Sequence, residues 1–455
     1  MRVVRDPSWR DVDDETVLAG SPLRLFRLTT GGRSVLERAL TEGIDTPTDV
    51  QARFLDRLVG AGAVHPVPGP GPFTCADVTV VMPVRGDWPT VPTDCRTIVV
   101  DDASEPPLTP PPGEGRVEVI RLATNVGPGA ARSAGLEQVD TTLVAFVDAD
   151  VELPDGWLDG LLGHFADPCV DAVAPRVVSR PGPSVLEAYE AAHSPLDLGP
   201  EPALVAPGAR VSYVPTAVFV ARVDAVRRCG GFDPGLRFGE DVDLVWRLVR
   251  AGGRVRYEPS VVAVHRPRTT WPDWCAQRVG YGSSAAPLAT RHGEAVAPVR
   301  CSGWSLAVWA LALTGRRQGV VAALAVAATT GVLLHRRLHR LPGRESWRLV
   351  GRGHLLAGLQ IARATRRVWW PVALLLATVA GPRARTAIAL LVAAPAVTDR
   401  TGHRDGRALF PVRGAAIGLA DDVAYGWGVW KGVLRERRLQ ALWPAVSAWP
   451  PRDAD

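Results

Sequence analysis

The sequence predicts an α/β protein built on a mostly parallel sheet. A small winged-helix-like unit precedes it and an apolar helical region follows. Three observations predict this. Between residues 77 and 300, apolar runs such as "VTVVMPV", "RTIVVDDAS", "VEVIRL" and "TLVAFVDAD" alternate with helix-like segments. Continuous apolar runs separated by helices belong to parallel sheets covered on both faces. Residues 1–65 carry short amphipathic segments of their own, set apart by the Pro/Gly linker "PVPGPGPF" within residues 66–76. In residues 301–455, apolar runs fenced by arginines replace the alternation.

In the first unit, "SPLRLFRLTTGG" reads as a strand stopped by a Gly-Gly turn. "RSVLERALTEG" places Leu36 and Leu40 one helical turn apart. "TPTDVQARFLDRLVGAG" puts Val50, Phe54 and Leu58 on one face, beside Leu55 and Val59. Thr48 is its candidate cap, and Gly60 or Gly62 its end. "AVHPV" closes the unit as a strand. Such a unit suits docking of a peptide or partner better than chemistry.

In the sheet region, "PGAARSAGLEQV" and "DGWLDGLLGHF" read as helices on either side of "TLVAFVDAD". Ligands of parallel sheets bind at the carboxyl ends of strands. Asp101, Asp102, Asp148 and Asp150 all fall at such ends. They are therefore expected to line a crevice at the mouth of the sheet, outside the core.

Composition removes some classes. The chain has 455 residues, 47% hydrophobic, which excludes a disordered chain and exceeds one ordinary domain. The net charge is +5, carried almost wholly by arginine, with Lys431 the single lysine. No basic patch interleaved with aromatics accompanies it, so no nucleic-acid partner is expected. Six scattered cysteines without metal-ligand spacing predict reduced thiols. The opening "MRVVRDPSWRDVDDE" has no apolar core and predicts no secretory signal.

The apolar runs of the tail, "GWSLAVWALALT", "GVVAALAVAATTGVLL", "VWWPVALLLATVA" and "TAIALLVAAPAV", are each shorter than the roughly 20 residues of an easy membrane span. A soluble helical domain and membrane-associated helices both fit them. The basic stretch "HRRLHRLPGRESWR" resembles a cytoplasmic loop beside a membrane and favours the second. The expected location is the cytoplasmic face of the cell membrane. Asp421 and Asp422 are read as caps of a final helix.

For chemistry, no GxGxxG follows the first strand and no GxxxxGK[ST] occurs, so phosphates need another partner. A divalent cation, Mg²⁺ or Mn²⁺, held by a carboxylate would serve. In an extended segment Asp148 and Asp150 point the same way, one toward a ribose and one toward the metal. Glu240, Asp241 and Asp243 open a helix after a loop carrying Gly231, Phe232, Gly235 and Gly239. Capping alone would explain acids at that position; the glycine-spaced loop favours closure on a ligand. "VRYEPSVVAVHRPR" delivers His265 at a strand end, where it becomes a candidate metal or phosphate contact.

From about Val78 to Arg291 these marks resemble a family 2, GT-A-fold glycosyltransferase, a nucleotide-diphospho-sugar transferase. "VVMPVRGD", "IVVDDAS", "NVGPGAARSAG", "FVDADVELPDGWL", "GGFDPGLRFGEDVDLVWRL" and "VVAVHRPR" occur in the family's order. The resemblance implies that Pro83, Val84, Arg85 and Asp102, with Asp101, hold uracil and ribose. It implies that Asn125, Gly127 and Arg132 cradle the nucleotide. Asp148 and Asp150 become the DxD metal motif with His265, and Asp241, beside Glu240, the catalytic base. Ala103 stands where the family more often has glycine. Across most of the chain, through "QRVGYGSSAAPLATRHG" and "LADDVAYGWGVW", the sequence resembles the mycofactocin-system glycosyltransferases of actinobacteria, with a PqqD-like peptide-binding domain at residues 1–65. That resemblance implies transfer of glucose from a UDP-sugar to a peptide-derived redox cofactor.

The expected reaction is a single, inverting displacement needing one base, unlike the two-carboxyl glycosidases. Two alternatives remain open at this point. A processive polysaccharide or cell-wall synthase is one, faintly marked by "QRVGY" from Gln277. A non-catalytic sugar-nucleotide-binding scaffold is the other; the intact carboxylates count against it.

Overall fold

The computed structural model describes residues 1–92, 94–111, 117–339, 341–402 and 411–447. The chain divides into two units, Met1–Pro267 and Arg268–Asp455.

The first unit opens with β1 (Arg2–Arg5), β2 (Arg10–Asp11), β3 (Thr16–Ala19), β4 (Arg24–Arg27), α1 (Thr30–Thr41), α2 (Asp49–Gly60) and β5 (Val64–Val67). β1 pairs with β5, and β2, β3 and β4 form a three-stranded antiparallel sheet. The first three strands are only two to four residues long, so no apolar run announces them in the sequence. Gly31 and Gly32 do not make a turn. They lie in the first turn of α1, where Thr29 Oγ1 accepts from the Gly32 amide at 3.1 Å. On α2, Leu55, Leu58 and Val59 face the core, whereas Val50 is 69% exposed. Thr48 and Gln51 form a reciprocal capping box, and Gly62 follows the helix at φ +64°.

The Pro/Gly linker is seated on the catalytic part. A Cβ on Gly163 would lie 2.2 Å from the Gly69 carbonyl oxygen, and one on Gly71 would lie 2.7 Å from that of Leu162. Only glycine permits such backbone-to-backbone approach. Cys75 and Cys95 form a disulfide with Cα atoms 5.4 Å apart. This corrects the expectation of reduced thiols for that pair. They are 20 residues apart in sequence but enter neighbouring strands, which spacing alone does not reveal. Cys169, Cys229, Cys275 and Cys301 are free.

The catalytic sheet contains β6 (Val78–Val84), β7 (Arg96–Asp101), β8 (Val117–Arg121), then after α3 (Pro128–Glu137) β9 (Leu143–Val147) and β10 (Val151–Glu152). α4 (Asp159–Leu162), β11 (Val170–Ser179), α5 (Val185–His193), β12 (Ala203–Val205), β13 (Val218–Arg222), α6 (Val223–Arg228), α7 (Glu240–Arg250) and β14 (Arg254–His265) complete it. The strand order is β10-β14-β11-β13-β9-β6-β7-β8, with β12 beside β14. β6, β7, β8, β9, β11 and β14 run parallel; β10, β12 and β13 oppose them. All five residues of β9 are buried without exposure. Burying each large one stabilises the fold by about 1.5–3 kcal/mol. This central strand therefore fixes where Asp148 emerges.

The second unit comprises α8 (Trp271–Ser283), α9 (Ala285–His292), β15 (Arg300–Ser302), α10 (Gly303–Ala312), α11 (Arg317–Arg337), α12 (Gly343–Arg367), α13 (Trp370–Val379), α14 (Pro382–Gly402), α15 (Pro411–Glu436) and β16 (Ala445–Ser447). It begins before the change of texture at Gly303. α8 crosses α15 at backbone contact: a Cβ on Gly282 or Gly428 would meet the Tyr425 or Val279 carbonyl oxygen at 2.0 or 2.1 Å. Asp421 and Asp422 do not cap α15. They sit within it and pair with Arg278 at 3.3 Å and with Arg367 at 2.8 Å respectively. The basic stretch read as a loop ends in the first turns of α12, an amphipathic helix with Ile361, Ala362 and Ala364 buried.

Candidate active site

β6 delivers Pro83 and Val84 to the mouth of the sheet, with Arg85 exposed beyond them. Val84 pairs with Asp101 of β7. The Gly86 amide donates to Ser104 Oγ at 2.9 Å, tying the turns after the two strands together. Asp101 does not line the crevice. It is wholly buried and accepts from the Ser104 amide at 2.7 Å, the Leu108 amide at 3.2 Å and Arg121 Nη1 at 2.5 Å. Burial pushes its carboxyl up, but these donors outweigh that and hold it below its ordinary value. Its role is to fix the turn. Between Asp102 and Ser104, Ala103 takes φ +57°, the left-handed conformation that favours glycine.

Asp102 is nearly buried and collars the segment after β8. It accepts from Asn125 Nδ2 at 2.6 Å, the Val126 amide at 2.7 Å and the Gly127 amide at 3.0 Å. Gly127, at φ +89°, then starts α3, with Pro128 in the first turn. Asn125 Oδ1 accepts from Arg237 Nη2 at 3.0 Å. Arg237 reaches across from the glycine-spaced loop before α7.

Asp148-Ala149-Asp150 is a turn: the Val151 amide donates to the Asp148 carbonyl at 3.2 Å. The two carboxylates consequently do not point the same way, as an extended segment would have placed them. Asp148 Oδ1 accepts from Arg132 Nη2, whereas Asp150 Oδ2 lies 3.4 Å from His265 Nε2. β10 pairing with β14 sets Val151 opposite His265 and brings that pair together. Among the described residues no three His, Cys, Asp or Glu side chains gather around one point. The trio Asp148, Asp150 and His265 therefore resolves into a pair, Asp150 with His265, and a separate ion pair. The carboxylate and imidazole are suited to Mg²⁺ or Mn²⁺ when substrate oxygens complete the shell.

Arg132 is not a surface cradle residue. It is almost wholly buried, and Nη1 donates to Glu240 Oε1 at 3.1 Å. Gly239, at φ +78°, turns the chain into α7 and sets Glu240 and Asp241 in its first turn. Asp241 opens partly to solvent, and its Oδ1 accepts from the Val242 amide at 2.7 Å. Burial, then the charge of Glu240, push its carboxyl up to about 7. Burial also raises Glu240, against the pull of Arg132. Asp243 is structural: it accepts from Arg247 Nε at 2.8 Å, and Arg247 also holds the Gly231 carbonyl at 2.7 Å. A carboxyl poised near 7 can accept a proton at neutral pH.

Sequence reasoning missed Ser104, Arg121 and Arg237, which hold the loops. Phe232, of the glycine-spaced loop, lies with its ring 5.5 Å from the Arg132 guanidinium. For Arg237 the signal was present in "GGFDPGLRFGED", a loop too rich in glycine to be featureless.

The mostly parallel sheet, with carboxylates gathered at the carboxyl ends of its strands, is that of a GT-A glycosyltransferase. The Glycosyl transferase family 2 profile matches residues 92–203. Over 451 residues, 95% of either chain, the sequence is 41% identical to "Pre-mycofactocin glycosyltransferase" of two Mycobacterium tuberculosis strains, CDC 1551 / Oshkosh and ATCC 25618 / H37Rv. The chain belongs to the family of pre-mycofactocin glycosyltransferases. Among solved structures, mannosyltransferase PcManGT from Pyrobaculum calidifontis, in complex with GDP-Man and Mn²⁺, is similar at TM-score 0.37 and 18% identity, over 74% of this chain and 90% of that one. GalNAc-T7 with UDP, GalNAc and Mn²⁺ is similar at TM-score 0.32 and 15% identity, over 45% and 47%.

Proposed function

We propose that this glycosyltransferase moves a hexose, glucose by the family resemblance, from a UDP-sugar onto the peptide-derived mycofactocin precursor with inversion. The observation that carries the mechanism is the split of the crevice carboxylates. Asp150 and His265 face one task and Glu240 and Asp241 another. Asp150 and His265 would hold Mg²⁺ or Mn²⁺, which supplies charge neutralisation on the departing diphosphate. Pro83, Val84 and Arg85 border the base and ribose pocket, whose wall Asp102 shapes by fixing Asn125 and Gly127. Asp241 takes the proton of the acceptor hydroxyl as that oxygen attacks the anomeric carbon. The bond to the diphosphate breaks with its electron pair going to UDP. One displacement turns a UDP-α-sugar into a β-glycoside.

The synthase reading gains no support from "QRVGY": Arg278 is 1% exposed and engaged with Asp421 and the Trp274 ring. The test is mass spectrometry of purified enzyme incubated with UDP-glucose and the precursor peptide product. A mass gain of one or more hexoses, lost in Asp241→Asn, supports the assignment. An unmodified acceptor refutes it.

A membrane-facing second unit is also proposed. Among the described residues α11 is the helix long and apolar enough to cross a membrane, with mean hydropathy 1.6 over its most apolar stretch. On α13, Leu374, Leu375, Leu376 and Val379 are exposed. Arg316, Arg317, Arg336 and Arg337 bracket α11, as suits an anionic inner leaflet. Flotation with anionic vesicles tests it; protein left at the bottom of the gradient would refute it.

A further inference from the structure

Arg132 stands between the two halves of the crevice. Its side chain is 3% exposed. One arm donates to Asp148 at the end of β9, the other to Glu240 at the start of α7, and Nε has no hydrogen-bond partner. The guanidinium lies over the Phe232 ring. Gly129 makes this approach possible: a Cβ there would lie 2.9 Å from Glu240 Cγ. The α3 and α7 starts are thus pressed together around one cation that touches a carboxylate from each side.

We infer that Arg132 is a positioning residue that ties Asp148 to Glu240 and so leaves Asp241 as the carboxylate that takes the acceptor proton. The inference rests on Asp241 being the base. Two adjacent carboxylates at one helix start cannot both ionise freely at short range. Glu240 is the member held by the buried cation, which opposes the upward push of its burial. Asp241 has no such direct partner in Arg132 and faces the remaining field: Glu240 from its own helix, Arg132 from α3 and Asp148 from the end of β9. Removing the cation leaves two anions near Asp241 unopposed and makes its proton harder to lose. Removing the Glu240 charge does the reverse.

The experiment is the pH profile of UDP release from UDP-glucose with water as acceptor, and of transfer to the peptide-derived acceptor. In the native enzyme kcat is expected to fall on the acid side with a midpoint near 7. Arg132→Gln should move that limb upward by about one pH unit, lowering kcat about tenfold below the limb while approaching the native value above about pH 9. Arg132→Lys should recover much of the shift. Glu240→Gln should move the limb downward. A loss equal at every pH in Arg132→Gln overturns the inference, and so does an unmoved limb in Glu240→Gln. Should Arg132→Gln not fold, the Glu240→Gln shift alone decides. Asp241→Asn separates the two failures. Retained transfer means Asp241 is not the base. Lost transfer with unmoved limbs in the other variants means only the coupling is wrong.

Discussion

Arg256 of the catalytic sheet donates from Nη2 to His65 Nδ1 of the N-terminal part at 3.3 Å. His65 Nε2 meets Asp6 Oδ2 at 2.8 Å, and Arg210 Nη2 reaches the same oxygen at 3.1 Å. His65, Asp6 and Arg256 are all buried. Residues 1–65 therefore meet the sheet through a buried ionic joint, at β14, the strand that ends in His265.

That joint predicts acid sensitivity. Burial holds His65 below its ordinary value, and Arg256 adds to this against the pull of Asp6. A group whose pKa is depressed on folding stabilises above its unfolded value, about 6.5, and loses that contribution as pH falls toward the folded value. Denaturation of the full chain should become easier between about pH 7 and pH 5, and His65→Gln should flatten the curve. A native curve already flat there refutes the prediction. Asp6→Ala, which strips a buried anion from Arg210 and His65, should cost about 3–5 kcal/mol.

Ala103 supplies a second prediction. A left-handed alanine costs roughly 1–2 kcal/mol, which glycine avoids at the expense of some unfolded-state entropy. Ala103→Gly should raise stability by up to about 1 kcal/mol in urea titration while leaving UDP affinity intact. A fall in the midpoint would show that the turn is not strained.

The cation pair gives a third. Mn²⁺ binding, read by electron paramagnetic resonance in the presence of UDP, should fall at least about tenfold in Asp150→Asn and His265→Ala. Asp148→Asn should weaken it less, because that carboxylate is engaged by Arg132. Full UDP-sugar turnover in excess chelator would remove the cation from the mechanism.

A fourth prediction concerns the thiols. Native protein should show four alkylatable cysteines, with Cys75 and Cys95 labelled only after reduction. Opening a loop of this length should cost about 3 kcal/mol. Six labelled cysteines before reduction would contradict the pairing.

Much of the site was legible because strand ends announce themselves. An apolar run broken by Asp, as at Val147-Asp148, marks the carboxyl end of a strand, where ligands of parallel sheets bind. Which carboxylate does what was not legible. Asp101 and Asp102 are adjacent, yet one turns into the core and the other clasps Asn125, a choice made by the Ala103 turn and by Arg121 from β8. Asp148 and Asp150 parted because the segment turns instead of extending. The first strands of the chain went unseen because each is too short to show a period of two. That Glu240 is held by Arg132, 108 residues away in sequence, no local pattern shows.

The backbone-to-backbone crossing of α8 and α15 bears on the order in which the protein is made. Gly282 leaves the ribosome long before Gly428 and Gly432, whose helix must lie against it. β15 likewise waits for β16, which it pairs in parallel register, and Trp369 Nε1 waits for the Leu442 carbonyl at 2.8 Å. The earlier part of the chain can complete its sheet during synthesis, since domains fold as units as they emerge. The second unit cannot close until translation is nearly finished. Until then Arg278, buried in the finished fold, has no Asp421 to meet. A premature stop anywhere before α15 therefore removes more than a tail: it leaves α8, α9 and α12 without the helix they pack against.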